Sequence, residues 1–132
     1  MAKAQLRKEL QFDTPDTPGQ LTKVCEACRK AGVNIDAVSA YGRDNKGHFR
    51  MCTSDNGKAA QALKAAGYAA SEKEVVTIEI ENSPGKMLEV AGKIGGAGIN
   101  LKSIYGSASV PGKPQFVVLD SDNNAKLARL FP

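Results

Sequence analysis

Hydrophobic and polar residues alternate in short stretches of this chain, and stretches with helical spacing follow them. Val76, Ile78 and Ile80 alternate with polar side chains, which is typical of a strand with one buried face. Residues 5–12 alternate in the same way. The next stretches repeat apolar residues every three or four positions, as amphipathic helices do. The pattern therefore predicts strands followed by helices.

Two longer helices are predicted, each starting at a proline. We expect Thr17 to be the N-cap of the first helix, with Pro18 at its first position and Gln20 closing a capping box. Ser83 is expected to cap the second helix. The predicted apolar stripes are Leu21, Val24, Cys25 and Cys28 in the first helix, and Met87, Val90, Ala91 and Ile94 in the second.

Glycines weaken the second of these helices. Gly92, Gly95 and Gly96 each cost up to ~1 kcal/mol relative to alanine. Either the helix frays near Gly95, or its bare face lets another backbone approach closely.

The predicted elements follow the order βαββαβ, the ferredoxin-like pattern of an α+β protein with an antiparallel sheet and helices on one face. The remaining elements of the first half are strands at 33–41, 48–53 and 68–73 and a helix at 58–66. The second half has strands at 76–80, 101–105 and 115–120 and a final helix at 125–130. This second set lacks a full last strand, so we expect a sheet edge that a neighbour must cover.

One stretch of sequence occurs twice, at a constant offset of 66 residues. Residues 18–38 and 84–104 share six identities in 21 positions without a gap. The identical pairs are Pro18/Pro84, Gly19/Gly85, Val24/Val90, Ala31/Ala97, Gly32/Gly98 and Asn34/Asn100. Such a period is too long for a solenoid repeat, and it indicates two copies of one small domain. We predict domains at 1–73 and 74–132.

Size and composition limit the possible classes of protein. A domain of about 60 residues buries only ~60% of its unfolded surface, so we expect the halves to share a core or an interface. The short chain and its open sheet edges need cover, so we also expect a homodimer. The formal charge is +4, but the basic residues are scattered and tryptophan is absent, which favours a solvated basic surface over a nucleic-acid site. No apolar run or leader-like segment indicates a membrane or secretion, so we expect a cytoplasmic protein.

Three cysteines are the main candidates for redox or metal chemistry. Cys25 and Cys28 form a CxxC pair, but there is no second pair and His48 is the only histidine. Both cysteines fall on the predicted apolar stripe, where cysteine packs as a small hydrophobic residue. We interpret them as structural and expect no metal site and no cofactor.

Two other functions are considered. An enzyme is disfavoured, because the sequence has no Ser-His-Asp set and no dinucleotide-binding glycine motif after a strand. RNA-recognition domains share the βαββαβ order, but they stack bases on several aromatic side chains. The third strands here carry one aromatic each, Phe49 and Phe116.

The repeated turn offers chemistry for a small zwitterion. The first N–H groups of a helix lack partners and, with the helix dipole, favour a carboxylate. Gly19 and Gly85 would let a ligand approach the backbone. Asn34 and Asn100 start the next strand and are expected within reach of the same corner, where an amide or Asp16 would meet an ammonium group. The same residues also make good helix starts and turns without any ligand.

These motifs resemble the signature of the ACT domain, in two tandem copies that cover nearly the whole chain. The family implies regulatory modules that bind amino acids at domain interfaces, without catalysis. The implied ligand-binding residues are Asp16, Thr17, Pro18, Gly19, Gln20, Asn34 and Ile35, and Asn82, Ser83, Pro84, Gly85, Lys86, Asn100 and Leu101. The copies are also similar to the regulatory subunit of acetolactate synthase. A stand-alone amino-acid sensor, allosteric toward an unidentified metabolic enzyme, is thus one hypothesis, and a ligand-free interaction module is the other.

Overall fold

The computed structural model describes residues 2–107 and 109–132. Met1, in the predicted first domain, and Ala108, in the predicted second hairpin loop, lie outside the described residues. The strands are β1 Lys3–Pro15, β2 Ile35–Arg43, β3 Lys46–Thr53, β4 Ser71–Glu81, β5 Leu101–Gly106 and β6 Pro114–Ser121. The helices are α1 Gln20–Lys30, α2 Asn56–Ala65, α3 Lys86–Gly96 and α4 Asn124–Arg129.

The chain divides into two compact units. The central unit is Lys8–Lys73, and the terminal unit combines the residues up to Arg7 with Glu74–Pro132. β1 therefore contributes residues to both units. The predicted α+β architecture, with antiparallel strands and helices, is confirmed.

In the central unit, β3 lies between β1 and β2 and is antiparallel to both. Phe12 of β1 lies opposite Phe49 of β3, and their rings stack with centroids 5.1 Å apart. Alternate strand residues, the inner faces of α1 and α2, and one residue shortly after each of these helices form one core: Leu10, Phe12, Val24, Ala27, Cys28, Val33, Phe49, Met51, Ala59, Leu63 and Tyr68. Both helices thus cover the same face of this sheet, because one set of alternate side chains points toward them.

In the terminal unit, β6 lies between β4 and β5 and is antiparallel to both. The core consists of Val76, Ile78, Ile80, Val90, Ile94, Ile99, Val117, Leu119, Leu127 and Phe131. The N-terminal residues of β1 join this unit beside β4. The Ala4 amide donates to the Phe131 carbonyl at 2.8 Å, and the Arg7 guanidinium lies 5.5 Å from the Phe116 ring centroid.

Two separate strands were predicted at 68–73 and 76–80, with the second copy starting directly after the first and without a linker. They are instead one continuous strand, β4, which begins at Ser71. Residues 72–75 contain no glycine or proline, so nothing in the local sequence interrupts an extended chain. No strand follows α4 in the described part of the chain, and the position beside β4 is occupied instead by residues 3–7 of β1.

The helices bury narrower faces than the apolar stripes predict. In α1 the buried residues are Val24, Ala27 and Cys28, whereas Leu21 is 53% exposed and Cys25 is exposed. In α3 only Val90 and Ile94 are buried, and Met87 and Ala91 lie outside the core. The prediction was wrong for one flank of each helix, because periodicity finds the apolar residues but does not tell which of them the sheet covers. α3 continues to Gly96, so it does not fray near Gly95.

We expect the three thiols to react at very different rates. Burial, and to a smaller extent Cys25 nearby, raise the pKa of the Cys28 thiol, so it stays protonated and unreactive. Cys52 is also buried. Iodoacetamide should therefore label Cys25 in the native protein and the other two only in denaturant, which mass spectrometry of peptides would read out. Native labelling of Cys28 as fast as Cys25 would contradict the packing described here.

Candidate functional site

Both repeated Pro-Gly segments form tight turns that precede their helices. Gly19 has φ 90° and ψ 0°, and Gly85 has φ 86° and ψ −12°. These angles, with proline one position earlier, match a type II turn. The Lys86 amide donates to the Ser83 carbonyl at 3.2 Å, which closes the turn in the second copy. Only glycine adopts such angles without strain.

The helices consequently begin later than predicted. Thr17 and Ser83 are not N-caps: Gly19 and Gly85 occupy those positions, and neither helix has a side-chain cap. Pro18 is inside the turn rather than at the first helical position. The capping-box pattern predicted the wrong helix starts. Gly19 and Gly85 are the third residues of type II turns, and each helix begins only after its glycine.

The other two helices are capped conventionally. The Asp55 carboxylate accepts from the Lys58 amide at 3.1 Å, and the Asn123 side chain accepts from the Lys126 amide at 3.1 Å. The helices that follow the repeated motif are therefore the ones whose first amides lack a side-chain acceptor. Uncapped helix starts favour an external carboxylate, through the free N–H groups and the helix dipole.

The Pro-Gly turn of the central unit and the strand ends beside it form what we call the first corner. This corner contains a cavity of about 290 Å³. It is lined by Thr14, Pro15, Asp16, Thr17, Gly19, Gln20, Leu21, Ala40, Tyr41, Gly42, Gly47 and Phe49. The cavity thus combines the end of β1, the Pro-Gly turn, the end of β2 and the start of β3. Pro18 is next to these residues in the turn but does not line the cavity.

Gly42 creates the space that the Asp16 carboxylate occupies. A Cβ atom on Gly42 would lie 2.9 Å from Asp16 Oδ2 and 3.0 Å from Oδ1. The carboxylate therefore lies against the bare backbone of β2, next to the uncapped start of α1. This places a negative side chain beside a helix end that favours anions, as a site for both groups of a zwitterion requires.

We predict that Gly42→Ala displaces the Asp16 carboxylate with little effect on the fold, and that an amino acid binding at this corner would lose about tenfold in affinity. The new methyl group must displace the Asp16 carboxylate, whose flexible end can move cheaply. Isothermal titration would measure affinity, and urea unfolding would measure stability. Gly57→Ala, where the nearest atom is 3.5 Å away, is the control for a glycine replacement outside the cavity. Unchanged affinity in Gly42→Ala would exclude a role for the Asp16 position.

Gln20 is held by neighbours within the central unit. Its Nε2 donates to Thr17 Oγ1 at 2.8 Å, and the buried Tyr68 hydroxyl donates to its Oε1 at 2.5 Å. The Gln20 amide therefore fixes the turn to the core. The Gln20 side chain thus holds the Pro-Gly turn in place. The backbone N–H of Gln20 is the group available to a ligand.

The second corner is bound to the loop that follows β5. The Asn82 side chain donates to the Ser109 carbonyl at 2.9 Å, and its backbone amide donates to the Lys113 carbonyl at 3.0 Å. The Gly112 amide donates to the Asn82 carbonyl at 2.9 Å. Lys86 forms an i,i+3 ion pair with Glu89 at 3.8 Å. Asn82 is thus tied to its own loop, whereas the matching residue Asp16 lines an open cavity.

The predicted amides do not lie at the same corner as the turn of their own copy. β1 and β2 are each antiparallel to β3, so the end of β1 is level with the end of β2. Pro15 pairs with Lys46, which in turn pairs with Arg43, whereas Ile35 pairs with Thr53 at the far end. Asn34 and Ile35 are therefore separated from the turn by the length of the strand β2. The expectation of one shared corner was wrong, because an 11-residue helix carries the chain back ~16 Å before β2 starts.

Asn34 and Asn100 have matching backbone roles at that far end. The Asn34 amide donates to Ser54 Oγ at 2.9 Å, and the Asn100 amide donates to Asp122 Oδ1 at 3.2 Å. The Asn34 side chain also donates to Asp36 at 2.8 Å. Leu101 comes directly after Asn100 and is the first residue of β5. In the same way, Ile35 comes directly after Asn34 and is the first residue of β2. Each copy thus presents two separate candidate surfaces, the turn at one end and the Asn at the other.

The described residues limit other kinds of site. Residues 2–107 and 109–132 contain no group of three His, Cys, Asp or Glu side chains placed to hold a metal ion. Over the same ranges, no helix is both long and apolar enough to cross a bilayer.

Comparison with known proteins identifies the family. The sequence matches the family described as "ACT domain pair" over residues 8–130, so this chain belongs to the ACT-domain family. Among curated protein sequences, none matches this chain. The family resemblance inferred from the two Pro-Gly motifs is therefore confirmed.

Solved structures share the fold. Protein BT0572 from Bacteroides thetaiotaomicron is 28% identical, with a TM-score of 0.85 over 96% of this chain and 87% of its own. The ligand-free regulatory subunit of aspartate kinase from Thermus thermophilus is 14% identical, with a TM-score of 0.68 over 96% of this chain and 93% of its own. The regulatory subunit of aspartate kinase from Thermus flavus is 17% identical, with a TM-score of 0.62 over 97% and 94%.

Proposed function

We propose that this protein is a non-catalytic, cytoplasmic regulatory protein that binds a small amino acid through its ACT domains. The observation that supports this most strongly is the first corner, where an uncapped helix start lies beside the Asp16 carboxylate in an open cavity. The ligand carboxylate would bind the N–H groups at the start of α1, and its ammonium group would bind Asp16. A cavity of about 290 Å³ is just below the usual range for drug-sized ligands, which favours a small amino acid.

The ligand would bind between two domains, as we expected from the family. The turn and the Asn at the start of the second strand lie at opposite ends of a single domain, so one ligand cannot contact both within it. Two domains arranged in opposite directions would bring the turn of one, Asp16 to Gln20 or Asn82 to Lys86, to the Asn of the other, Asn34 or Asn100. The division into domains at 1–73 and 74–132 is part of this proposal.

A homodimer would supply such a pair of domains. The exposed apolar residues on the helices, Leu21 at 53%, Met87 at 39% and Leu88 at 76%, are available for an interface. Ligand binding would favour one arrangement of domains and so change the affinity for a metabolic enzyme. The aspartate kinase regulatory subunits with the same fold support a partner of this kind. A regulatory subunit of acetolactate synthase and a ligand-free interaction module remain the alternatives.

A thermal-shift screen against the common amino acids at millimolar concentration tests the proposal. A ligand at about 100 times its dissociation constant stabilises the folded state by roughly 2.7 kcal/mol. For a domain of this size the midpoint should rise by several degrees. A rise with one amino acid or a few related ones supports the sensor and identifies the ligand class. A flat response to all of them favours the ligand-free interaction module.

We predict that Asn100→Ala weakens binding of the amino acid found in that screen by about tenfold, with little loss of stability. The Asn100 side chain is exposed and makes no hydrogen bond with a described residue, so the folded protein does not need it. Calorimetric titration of the variant would measure the change in affinity. Gln61→Ala, which removes an exposed amide from α2, is the control. Equal affinities for Asn100→Ala and the original protein would show that the second Asn is not part of the site.

A further inference from the structure

A groove lies between the two helices of the central unit, and its lining includes no residue of either Pro-Gly turn. Its volume is about 440 Å³. α1 and its C-cap contribute positions 23, 26, 27, 30 and 31, which share one face of a helix, and α2 and its C-cap contribute positions 62, 65 and 66. The floor of the groove consists of alanines: Ala27, Ala31, Ala62, Ala65 and Ala66.

The short alanine side chains leave this groove open. Ala65 and Ala66 are exposed, and Ala31 and Ala62 are half-buried. Positions 23–31 extend over about 12 Å along α1, which is close to two helical turns. An apolar groove of this length fits the ridge that side chains three or four positions apart form on another helix.

Positive charge dominates the two helices around the groove. α1 and α2 together carry five cations and one carboxylate, although the whole chain has 18 Lys and Arg against 14 Asp and Glu. The charged side chains of the two helices are Lys23, Glu26, Arg29, Lys30, Lys58 and Lys64. This face of the central unit therefore attracts negatively charged groups.

The two lysines that line the groove are available to a partner. Lys23 and Lys30 are exposed, and within residues 2–107 and 109–132 the structure gives their ammonium groups no hydrogen bond or ion pair. The Asp55 carboxylate caps the start of α2, whereas the groove is lined by the end of that helix. Cations beside an alanine floor favour a partner that presents acidic and aliphatic side chains together.

We propose that this groove binds an amphipathic helix of another protein, with aliphatic side chains on the face that enters the groove and Asp or Glu on the flanks. The aliphatic side chains would pack against Ala31, Ala62 and Ala65. The flanking carboxylates would pair with Lys23 and Lys30. This inference does not depend on the amino-acid site proposed above, because it uses no residue of either turn and neither Asn34 nor Asn100.

The charge and composition of the helices disfavour other occupants. A second copy of this chain bound through the same face would bring its own basic helices against these, and like charges repel. Single-stranded nucleic acid is bound by stacking on aromatic side chains as well as by positive charge. Neither α1 nor α2 carries an aromatic residue.

Titration of the intact chain with synthetic peptides, followed by amide NMR, would test the proposal. The probe is a helical peptide of about four turns, with leucines at positions i, i+3, i+4 and i+7 and glutamates on both flanks. Two control peptides replace the glutamates by lysines or the leucines by serines, and oligothymidine is the nucleic-acid control. We expect the probe to shift the amides of residues 23–31 and 62–66, and the controls not to do so at the same concentration. The amino-acid screen described above tests the other proposal separately.

Two variants sharpen the test. Lys23→Glu combined with Lys30→Glu should weaken probe binding at least about tenfold. Lys3→Glu combined with Lys102→Glu makes the same change in net charge on exposed positions of the terminal unit and should have little effect. Ala65→Arg adds a positive charge but fills the groove, so it should also weaken binding at least about tenfold. All five positions are exposed, so the variants should fold.

The proposal would be overturned by any of four results. The first is that the probe shifts none of these amides. The second is that a control peptide or oligothymidine binds as tightly, which for oligothymidine would indicate a nucleic-acid surface. The third is that Ala65→Arg binds the probe equally well or better, as charge attraction without a groove would give. The fourth is that the double variant of Lys23 and Lys30 changes the sedimentation of the chain without peptide, which would indicate an interface between two copies.

Discussion

Replacing Leu127 by alanine is expected to lower the free energy of unfolding by about 2–5 kcal/mol. Leu127 is fully buried and is the one buried residue of α4, a helix of six residues. A helix this short is not stable alone, so its attachment to the core of the terminal unit depends on this side chain. The loss would be a large share of the roughly 5–15 kcal/mol that stabilises a typical protein.

Urea unfolding followed by circular dichroism would measure the effect of Leu127→Ala. Val110→Ala is the control, since Val110 is 62% exposed and lies outside the proposed interface, and its replacement should change the free energy of unfolding by about 0.5 kcal/mol or less. Similar losses in the two variants would contradict the assignment of Leu127 to the core.

Two glycine replacements only seven residues apart should have opposite effects on stability. Gly85→Ala forces alanine to φ 86° and should destabilise the protein by about 1–2 kcal/mol. Gly92→Ala lies inside α3, where a Cβ atom would meet nothing within 4 Å, and should stabilise by about 1 kcal/mol. The physical difference is the backbone conformation, because neither position lacks space for a methyl group.

Thermal unfolding of both variants would show this contrast. The midpoint should fall for Gly85→Ala and rise by about 3–4 °C for Gly92→Ala. Gly19→Ala should repeat the loss seen for Gly85→Ala, since Gly19 has φ 90°. A stabilising Gly85→Ala would show that the turn is not of type II in solution.

Much of the fold could be predicted from local patterns. The alternation in β4 and the repeated turn motif are local signals, and they led to the right elements and family. The start of the helices was not predicted correctly, because Pro-Gly suits both a helix start and a type II turn. The choice between them depends on the φ angles of Gly19 and Gly85. Glycine can adopt either sign of φ, so the residue type alone does not decide which one occurs.

Other features depend on contacts between distant residues. Periodicity alone could not show that the sheet leaves Leu21 and Cys25 exposed. The separation of Asn34 from the turn follows from the direction of β2, which is a property of the sheet rather than of either motif. The burial of Thr77 had no sequence signal, since alternation in a strand predicts a polar residue there and says nothing about whether that residue is buried.

The division of β1 between the two units affects the order in which the chain folds. The terminal unit joins residues up to Arg7 to residues from Glu74 onward, across a central segment of 66 residues. Closing so long a loop in an unfolded chain costs roughly 4 kcal/mol of entropy. In the folded central unit, one side chain holds both ends of that segment: Asn56 Nδ2 donates to the Lys8 carbonyl at 2.9 Å and to Glu72 at 3.3 Å. Once the central unit has formed, the entropy of closure has already been lost, and the first and last parts of the chain can assemble as if they were neighbours in sequence.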